Sequence, residues 1–590
     1  MPMRGESAAK GASASTTVTR PKPASHGAFF GAQYLMGLQI FVRLATFSMN
    51  MLVIYIAGRK AFGVASVRFE LLLSTILFLS REGMRNALLR VNVSSSSNSS
   101  PRSRLNKRPL EQEQRIINAA LIPIAAGMAM AGCLYWMYAS RSAQSPESLS
   151  NKSAPYYRLS LIVYIVAAWV ELCVEPLFVL SRAHVLFKLQ AKCEGIAVSC
   201  RCAAVVATLL LGHYFTIAEA DNNPLRLLAF AAGQMAYAVA IVAAFVRYMA
   251  SELDYPIWMC YMPRKIARSD AGLENSYIGR SLGSLAATFV GQSLIKHFLT
   301  QGDSMVMAKF ATTDEMGIFA FVSNYGSIPA RVIFLPLEEA SRAVFSKTAA
   351  AVNSQDLAKR PAADDKANAR DARQVLTVLG KLQLLLGAIL TVFGTLYSPI
   401  LASLARQTDA AVGQALAAYC LYLPLMGLNG FLEAFVHSVA SRSQLVRINT
   451  WMVGFTVVYM MLAVYVLHRL GLGSAGIIFA NMLNMGLRII YCRVFISAWF
   501  ARLGIAGPQL SAMLPHPAVI GTCLGSGAVI VAISAAFSHL QNSTVFQLLM
   551  LALGGALGTA VLFSIWLYEQ PFIRSVRRLR SGNLGSIKTS

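Results

Sequence analysis

The sequence predicts an all-α polytopic membrane protein of about fourteen transmembrane helices: two six-helix lobes related by a pseudo-two-fold axis, plus two C-terminal helices. Three observations predict it. Of 590 residues, 56% are hydrophobic and only 13% charged, whereas soluble domains run at roughly 45–50% and about 25%, and mean hydropathy is +0.53. Apolar runs long enough to span a bilayer, about 20 residues, recur along the chain. Finally, two segments about 255 residues apart repeat one another.

The apolar runs fall near 32–57, 64–88, 116–139, 157–181, 193–211, 225–246, 285–308, 316–341, 374–404, 411–440, 448–467, 474–492, 517–538 and 545–568. Their length, without alternating polar positions, predicts helices rather than a barrel. The second and eighth carry several charges. Residues 1–31 are rich in Ser, Ala, Thr and Pro and read as a disordered cytosolic tail. No charged segment followed by a short apolar core and a small-residue cleavage site precedes the first run, which is expected to act as the insertion signal.

The net charge of +25 is explained by where it sits. Loops on the side of the N-terminus hold about 35 Lys and Arg; those on the other side hold about seven, among them Arg59, Lys60, Arg141 and Lys152. A bias of that size places both termini in the cytosol. Basic residues are not interleaved with aromatics, so the charge predicts no nucleic-acid partner. The nine cysteines include Cys200-x-Cys202 but no metal-ligand spacing, so no metal and no cofactor is expected. The sequon Asn151-Lys152-Ser153 lies in an expected outer loop and is a candidate glycosylation site; Asn92 and Asn98 fall in an expected cytosolic loop.

Phe62-Gly63-Val64 opens the second span and Met316-Gly317-Ile318 the eighth. Phe78-Leu79 with Glu82-x-x-Arg85 closes the second, and Phe334-Leu335 with Glu339-x-x-Arg342 closes the eighth. Six spans separate the copies, so they share orientation, as in a parallel transporter repeat. The expected organisation is an N-lobe over 32–250, a cytosolic linker over 251–284, a C-lobe over 285–500, two further helices over 501–570 and a basic cytosolic tail over 571–590.

About ten cations fall inside spans: Arg43, Arg68, Arg81, Arg85, Arg158, Arg201, Arg226, Lys296, Arg331 and Arg488. Exposing five to lipid would cost on the order of 15 kcal/mol, more than a typical folding stability. They must snorkel, pair, or face water; Arg158 and Arg226 sit at span ends and snorkel. Helical spacing sorts the others into stripes: Asn324, Ser327, Arg331 and Glu338, followed by Glu339; Asn481, Asn484 and Arg488; Asn429, Glu433 and His437; Lys296, Thr300 and Asp303. Arg81 and Arg85, one turn apart, call for an anion or Glu82 nearby. Glu171 and Glu175, also one turn apart and followed by Pro176, are candidate proton or ion-pair sites, with His184 beyond. These groups read either as ion pairs joining helices or as a net-basic cleft suited to a phosphate or diphosphate headgroup, which guanidinium binds bidentately.

Gly471-x-Gly473-x-x-Gly476 follows no strand, so it is no dinucleotide site. Gly554-x-x-x-Gly558 reads as a packing face. With no nucleophile elbow or metal motif, and few acids in the outer loops, the sequence predicts no enzyme.

Leu73-Ser74-Thr75-Ile76-Leu77-Phe78-Leu79-Ser80-Arg81-Glu82 with Arg85 resembles the second-helix signature of the Rft family. The likeness continues through Val170-Glu171-Leu172, Glu175-Pro176, Ala183-His184, Lys296 to Met307, Asn324, Gly326-Ser327, Ala330-Arg331, Pro336 and Glu338-Glu339. It resumes at Tyr419-Cys420-Leu421-Tyr422, Asn429-Gly430, Glu433, Ala480-Asn481, Asn484-Met485-Gly486 and Arg488, and spans roughly residues 30–570. Gln301 departs from the acid expected before Gly302, leaving Asp303 as the candidate there. The resemblance implies the fold of the multidrug/oligosaccharidyl-lipid/polysaccharide exporter superfamily and an endoplasmic reticulum location. It also implies a diphosphodolichol cargo bearing two N-acetylglucosamines and five mannoses, moved from the cytosolic to the lumenal leaflet for N-glycosylation. In such a transporter Arg43, Arg81, Arg85, Arg331 and Arg488 would neutralise the diphosphate and the asparagines would bond the first sugars. The competing readings are a non-transporting scaffold of the dolichol pathway and a proton-coupled exporter of small molecules.

Overall fold

The computed structural model describes residues 54–88, 111–142, 154–183, 186–215, 225–251, 257–265, 277, 280–352, 363–540 and 543–580. Among them every regular element is helical. We number the long helices α1 (Arg59–Leu88), α2 (Gln114–Tyr138), α3 (Pro155–Ala183), α4 (Leu189–Gly212), α5 (Leu225–Ser251), α6 (Arg280–Phe310), α7 (Thr313–Gly326 with Ala330–Glu339), α8 (Ala369–Leu404), α9 (Ala410–Val439), α10 (Ser443–Leu470), α11 (Gly473–Arg502), α12 (Pro517–Ala536) and α13 (Thr544–Tyr568). Eleven of these are long and apolar enough to cross a bilayer, or twelve if the bent α7 is one span. The expected first span lies outside the described residues except for 54–57. The expected seventh, α6, is a continuous helix of 31 residues but does not join the eleven, because Gln292, Lys296, His297, Thr300, Gln301, Asp303 and Ser304 dilute its apolar character.

Helix ends are set by local chemistry. Thr312 and Glu315 form a reciprocal capping box at the start of α7, and Ser441 with Gln444 forms one ahead of α10. Asp409 caps α9 by accepting from the Ala411 N–H. The glycine run between α10 and α11 is a turn, with Gly471 and Gly473 at φ of +61° and +52°, a backbone region open to glycine.

The structure corrects the eighth span. It breaks after Gly326 and bends by 40° before Ala330, where Pro329 supplies no N–H for the helical ladder. The expected stripe Asn324–Ser327–Arg331–Glu338 is therefore bent and not straight, with Asn324 and Ser327 buried and Arg331 exposed, although Ser327, Arg331 and Glu338 still line one cavity. A π-helical turn at Ala330–Phe334 places Arg331, and another at Ala65–Phe69 places Arg68. The charged loop expected over 342–381 is mostly helical extension, since helices run to Val352 and resume at Ala363. The C-terminal tail likewise carries a helix, α14 (Gln570–Arg580).

The first five helices pack on one another, α5 against α3 and α4, α1 against α2 and α3. In the second half α9 is central, touching α7, α8 and α11, while α12 and α13 pair and reach α8. The halves meet along α1, which packs on both α6 and α7. There the two repeat glycines face each other: a Cβ on Gly63 would lie 2.3 Å from the Gly317 N. Equivalent residues in contact are what a rotation axis passing between them produces. Their shared core includes Phe69 and Tyr164 from the first half and Phe321 and Tyr419 from the second. Leu548, Leu549, Leu562 and Phe563 of α13 are uncovered by protein, an apolar surface suited to lipid.

Candidate functional site

The polar side chains form three groups. In the first half, Arg81 donates to Glu171 at 2.9 Å, and Gln234 donates to the other oxygen of Glu171 at 3.4 Å. One turn on, Arg85 grips Glu175 with both Nε and Nη2, the latter at 2.7 Å, and its guanidinium lies 3.9 Å from the Phe178 ring centroid. Both pairs are 90 residues apart in sequence. A constant separation across successive turns requires α1 and α3 to run the same way, in register. Glu175 is fully buried and Glu171 nearly so. Arg201 approaches Glu70 at 3.7 Å, and Arg68 lies beside Tyr157.

The second group bridges the halves. Lys296 of α6 donates to Glu82 of α1 at 3.0 Å, and the Thr75 hydroxyl and His297 ring share a 2.9 Å hydrogen bond. At the end of α1, Arg59 meets Asp409 at 3.0 Å and Asp314 at 3.9 Å, and Lys60 meets Asp314 at 3.1 Å. Arg406 donates to the Tyr55 hydroxyl at 2.9 Å. These residues come from three loops assigned to one side by the alternation of spans. On the opposite side, Asn118 donates to the carbonyls of Arg264 at 2.7 Å and Tyr277 at 2.9 Å, and Glu569 accepts from the His516 N–H at 2.7 Å while pairing with Lys381 at 2.6 Å. The described loops thus sort into two sets, as an alternation of spans expects.

The third group lies in the second half. Asn481 donates to Asp303 at 3.0 Å and Asn484 to Asn481 at 3.3 Å. Arg488 approaches Glu433 at 3.6 Å, and Arg342 donates to Glu338 at 2.8 Å. A cavity of about 280 Å³ opens beside them, bordered by Ser327, Arg331, Glu338, Ser341, Gln383 and Gly427. Asn324 and Asn429 are buried, and Asn324 Nδ2 and Asn429 Oδ1 have no hydrogen-bond partner among the described residues. Glu339 is exposed.

Arg43, His184 and Asn151 lie outside the described residues. Of the expected site residues, Arg81, Arg85, Glu171 and Glu175 come together as two ion pairs, and Glu82 turns away from Arg81 and Arg85 toward Lys296. The anion that Arg81 and Arg85 called for is thus supplied by α3. Sequence reasoning passed over Gln383 and Gly427 and met Gly430 only within the family likeness, although an amide inside the apolar run 374–404 was the signal for the first. All nine cysteines are free, and among the described residues no His, Cys, Asp or Glu group is arranged to hold a metal.

Residues 28–579 match the model of the Rft protein family. The chain belongs to that family. Among curated relatives, the "Man(5)GlcNAc(2)-PP-dolichol translocation protein RFT1" of Eremothecium gossypii is 28% identical over 82% of this chain and 84% of its own. Proteins of the same name from Saccharomyces cerevisiae, at 26% over 80% and 83%, and Schizosaccharomyces pombe, at 30% over 77% and 80%, are also similar. Among solved structures, the lipid II flippase MurJ in an inward closed conformation superposes with a TM-score of 0.57 at 12% identity, covering 92% of this Rft chain and all of MurJ. At that identity the likeness is one of fold: an all-α, multi-span membrane protein.

Proposed function

We propose that this Rft chain moves a diphosphodolichol-linked oligosaccharide, two N-acetylglucosamines and five mannoses, from the cytosolic to the lumenal leaflet of the endoplasmic reticulum, or is an indispensable helper of that step. It acts without catalysis, as a multi-pass protein with both termini in the cytosol. The names of its relatives and the flippase fold of MurJ support the reading. The single observation that carries it is a largely apolar cavity among the spanning helices that carries a few polar groups, among them Arg331, which a π-helical turn projects from α7. Such turns are frequent at functional sites.

One observation favours the scaffold reading. Arg81, Arg85, Arg201, Lys296 and Arg488 each already face a carboxylate, so a diphosphate would have to displace an existing partner. Profiling dolichol-linked intermediates after depletion, with Arg331→Ala as the rescue allele, tests the proposal. The five-mannose lipid should accumulate while the protein stays in the membrane; normal glycosylation on Arg331→Ala removes Arg331 from the mechanism. Reconstitution in vesicles with labelled lipid then separates transporter from scaffold: flipping no faster than in empty vesicles assigns the scaffold.

A further inference from the structure

The cavity among α7, α8 and α9 has a composition of its own. Its floor is made by glycine. A Cβ at Gly427 would lie 1.7 Å from the Gln383 Nε2, and one at Gly430 would lie 2.9 Å from the Glu338 Oε2. The two glycines stand one turn apart on α9, so polar side chains from two other helices rest directly on its backbone. Gln383 is 5% exposed, lines the cavity, and its Nε2 has no hydrogen-bond partner among the described residues. A buried donor left unpaired is unfavourable; this one is packed against the Gly427 backbone at the edge of the cavity, where a small turn of the side chain brings it to a hydroxylated occupant.

The remaining walls narrow the chemistry. Phe334, Leu335, Leu379, Met426 and Phe431 supply apolar surface, and Arg331 and Glu338 supply one charge of each sign, with Glu338 anchored by Arg342. A diphosphate placed here would meet the Glu338 carboxylate, and an amine would meet Arg331. An alkyl chain would leave Gln383 unsatisfied. An uncharged, hydroxyl-rich ring meets all three conditions: its hydroxyls both donate and accept, and its C–H face covers apolar walls. The volume, about 280 Å³, lies at the small end of ligand pockets, room for a single ring and not for a branched glycan.

We propose that this cavity is a saccharide subsite, holding one uncharged sugar ring through Gln383, Arg331 and Glu338, with the diphosphate bound elsewhere. The inference rests on the glycolipid reading above and assigns a part of the cargo to a part of the fold. It is tested on the full chain in lipid nanodiscs by ligand-observed saturation-transfer NMR. The probes are the soluble glycan of two N-acetylglucosamines and five mannoses, and inorganic pyrophosphate. Gln383→Leu, which keeps the volume and removes the amide, should weaken glycan binding about tenfold or more and leave pyrophosphate binding unchanged. Met426→Trp, which fills the cavity from α9, should do the same and serves if Gln383→Leu fails to fold. Glycan binding at wild-type strength in both variants, or displacement of the glycan by pyrophosphate, overturns the subsite. Lipid profiling of the same alleles separates the two claims. Lost glycan binding with a normal lipid profile overturns the transport reading, whereas intact binding with accumulated lipid overturns the subsite alone.

Discussion

Arg85 and Glu175 form the most enclosed ion pair among the described residues, and removing one partner is the sharpest test of how the first half is held together. Glu175 has no exposed surface and the Arg85 side chain is 16% exposed. Breaking a buried pair from one side costs about 3–5 kcal/mol, because the remaining charge stays buried without its partner. Loss of the guanidinium from the Phe178 face adds about 1–2 kcal/mol. For Arg85→Met the sum is about 4–7 kcal/mol, comparable with the whole stability of many folded proteins; Glu175→Met keeps the guanidinium on Phe178 and costs about 3–5 kcal/mol. Replacing both residues by Met removes the charges together, and such swaps are often neutral or stabilising. The assay is thermal unfolding of purified full-length protein in detergent, followed by size-exclusion chromatography, for Arg85→Met, Glu175→Met and the double variant. Each single variant should lose most of its folded population, and the double should melt near the wild type. A single variant that melts like the wild type, or a double no better than the worse single, refutes the reasoning. A double variant that folds but lets the glycolipid accumulate moves the pair from scaffold to cargo contact.

Gly317→Val should destabilise by about 1–3 kcal/mol or more, read as a lowered melting temperature, because its Cβ would sit 2.9 Å from the Arg59 carbonyl oxygen; an unchanged melt would mean the halves separate freely there. Glu569 is 2% exposed and holds both Lys381 and the His516 N–H. Glu569→Ala should therefore release α14 and speed tryptic cleavage at Arg574 and Arg577, whereas unchanged proteolysis denies it that role.

Much of the fold was legible because a bilayer imposes one length on every span. The expected 411–440 and 545–568 are observed as Ala410–Val439 and Thr544–Tyr568, since uninterrupted apolar runs end where capping residues begin. The bend in α7 was also written in the chain, as Gly326-Ser327-Ile328-Pro329, but periodicity treats a span as straight. It explains why the repeat offset drifts, from 254 residues at Gly63 and Gly317 to 257 at Arg85 and Arg342: α7 spends extra residues on the break. The ion pairs were half legible. Spacing set Arg81 above Arg85 and Glu171 above Glu175, but which stripe faces which depends on neighbours that one sequence does not specify. The cavity was not legible, because it is made by the absence of side chains at Gly427 and Gly430 opposite residues on other helices.

The contacts differ in strength in a way that bears on movement. Those inside the first half, Arg81–Glu171 and Arg85–Glu175, are buried. Those between the halves at the Arg59 end are more open: the Lys60 and Asp314 side chains are 65% and 48% exposed, and Asp409 is 43% exposed although its partner Arg59 is 17% exposed. Exposed pairs contribute about 0–1 kcal/mol each, so several can part without unfolding either half. If the halves move against each other, the pairs Lys60–Asp314 and Arg59–Asp409 are the contacts that part at least cost, a seam one turn beyond the close-packed Gly63 and Gly317. Lys60→Cys with Asp314→Cys, in a background lacking the native cysteines, fixes that seam by a disulfide. If the halves part there during transport, oxidation should stop glycolipid translocation in vesicles and reductant should restore it, with neither treatment affecting either single variant. Translocation that continues at the wild-type rate with the disulfide formed would show that the seam stays closed throughout the cycle, and the passage would have to run entirely within one half or along the outside of the bundle.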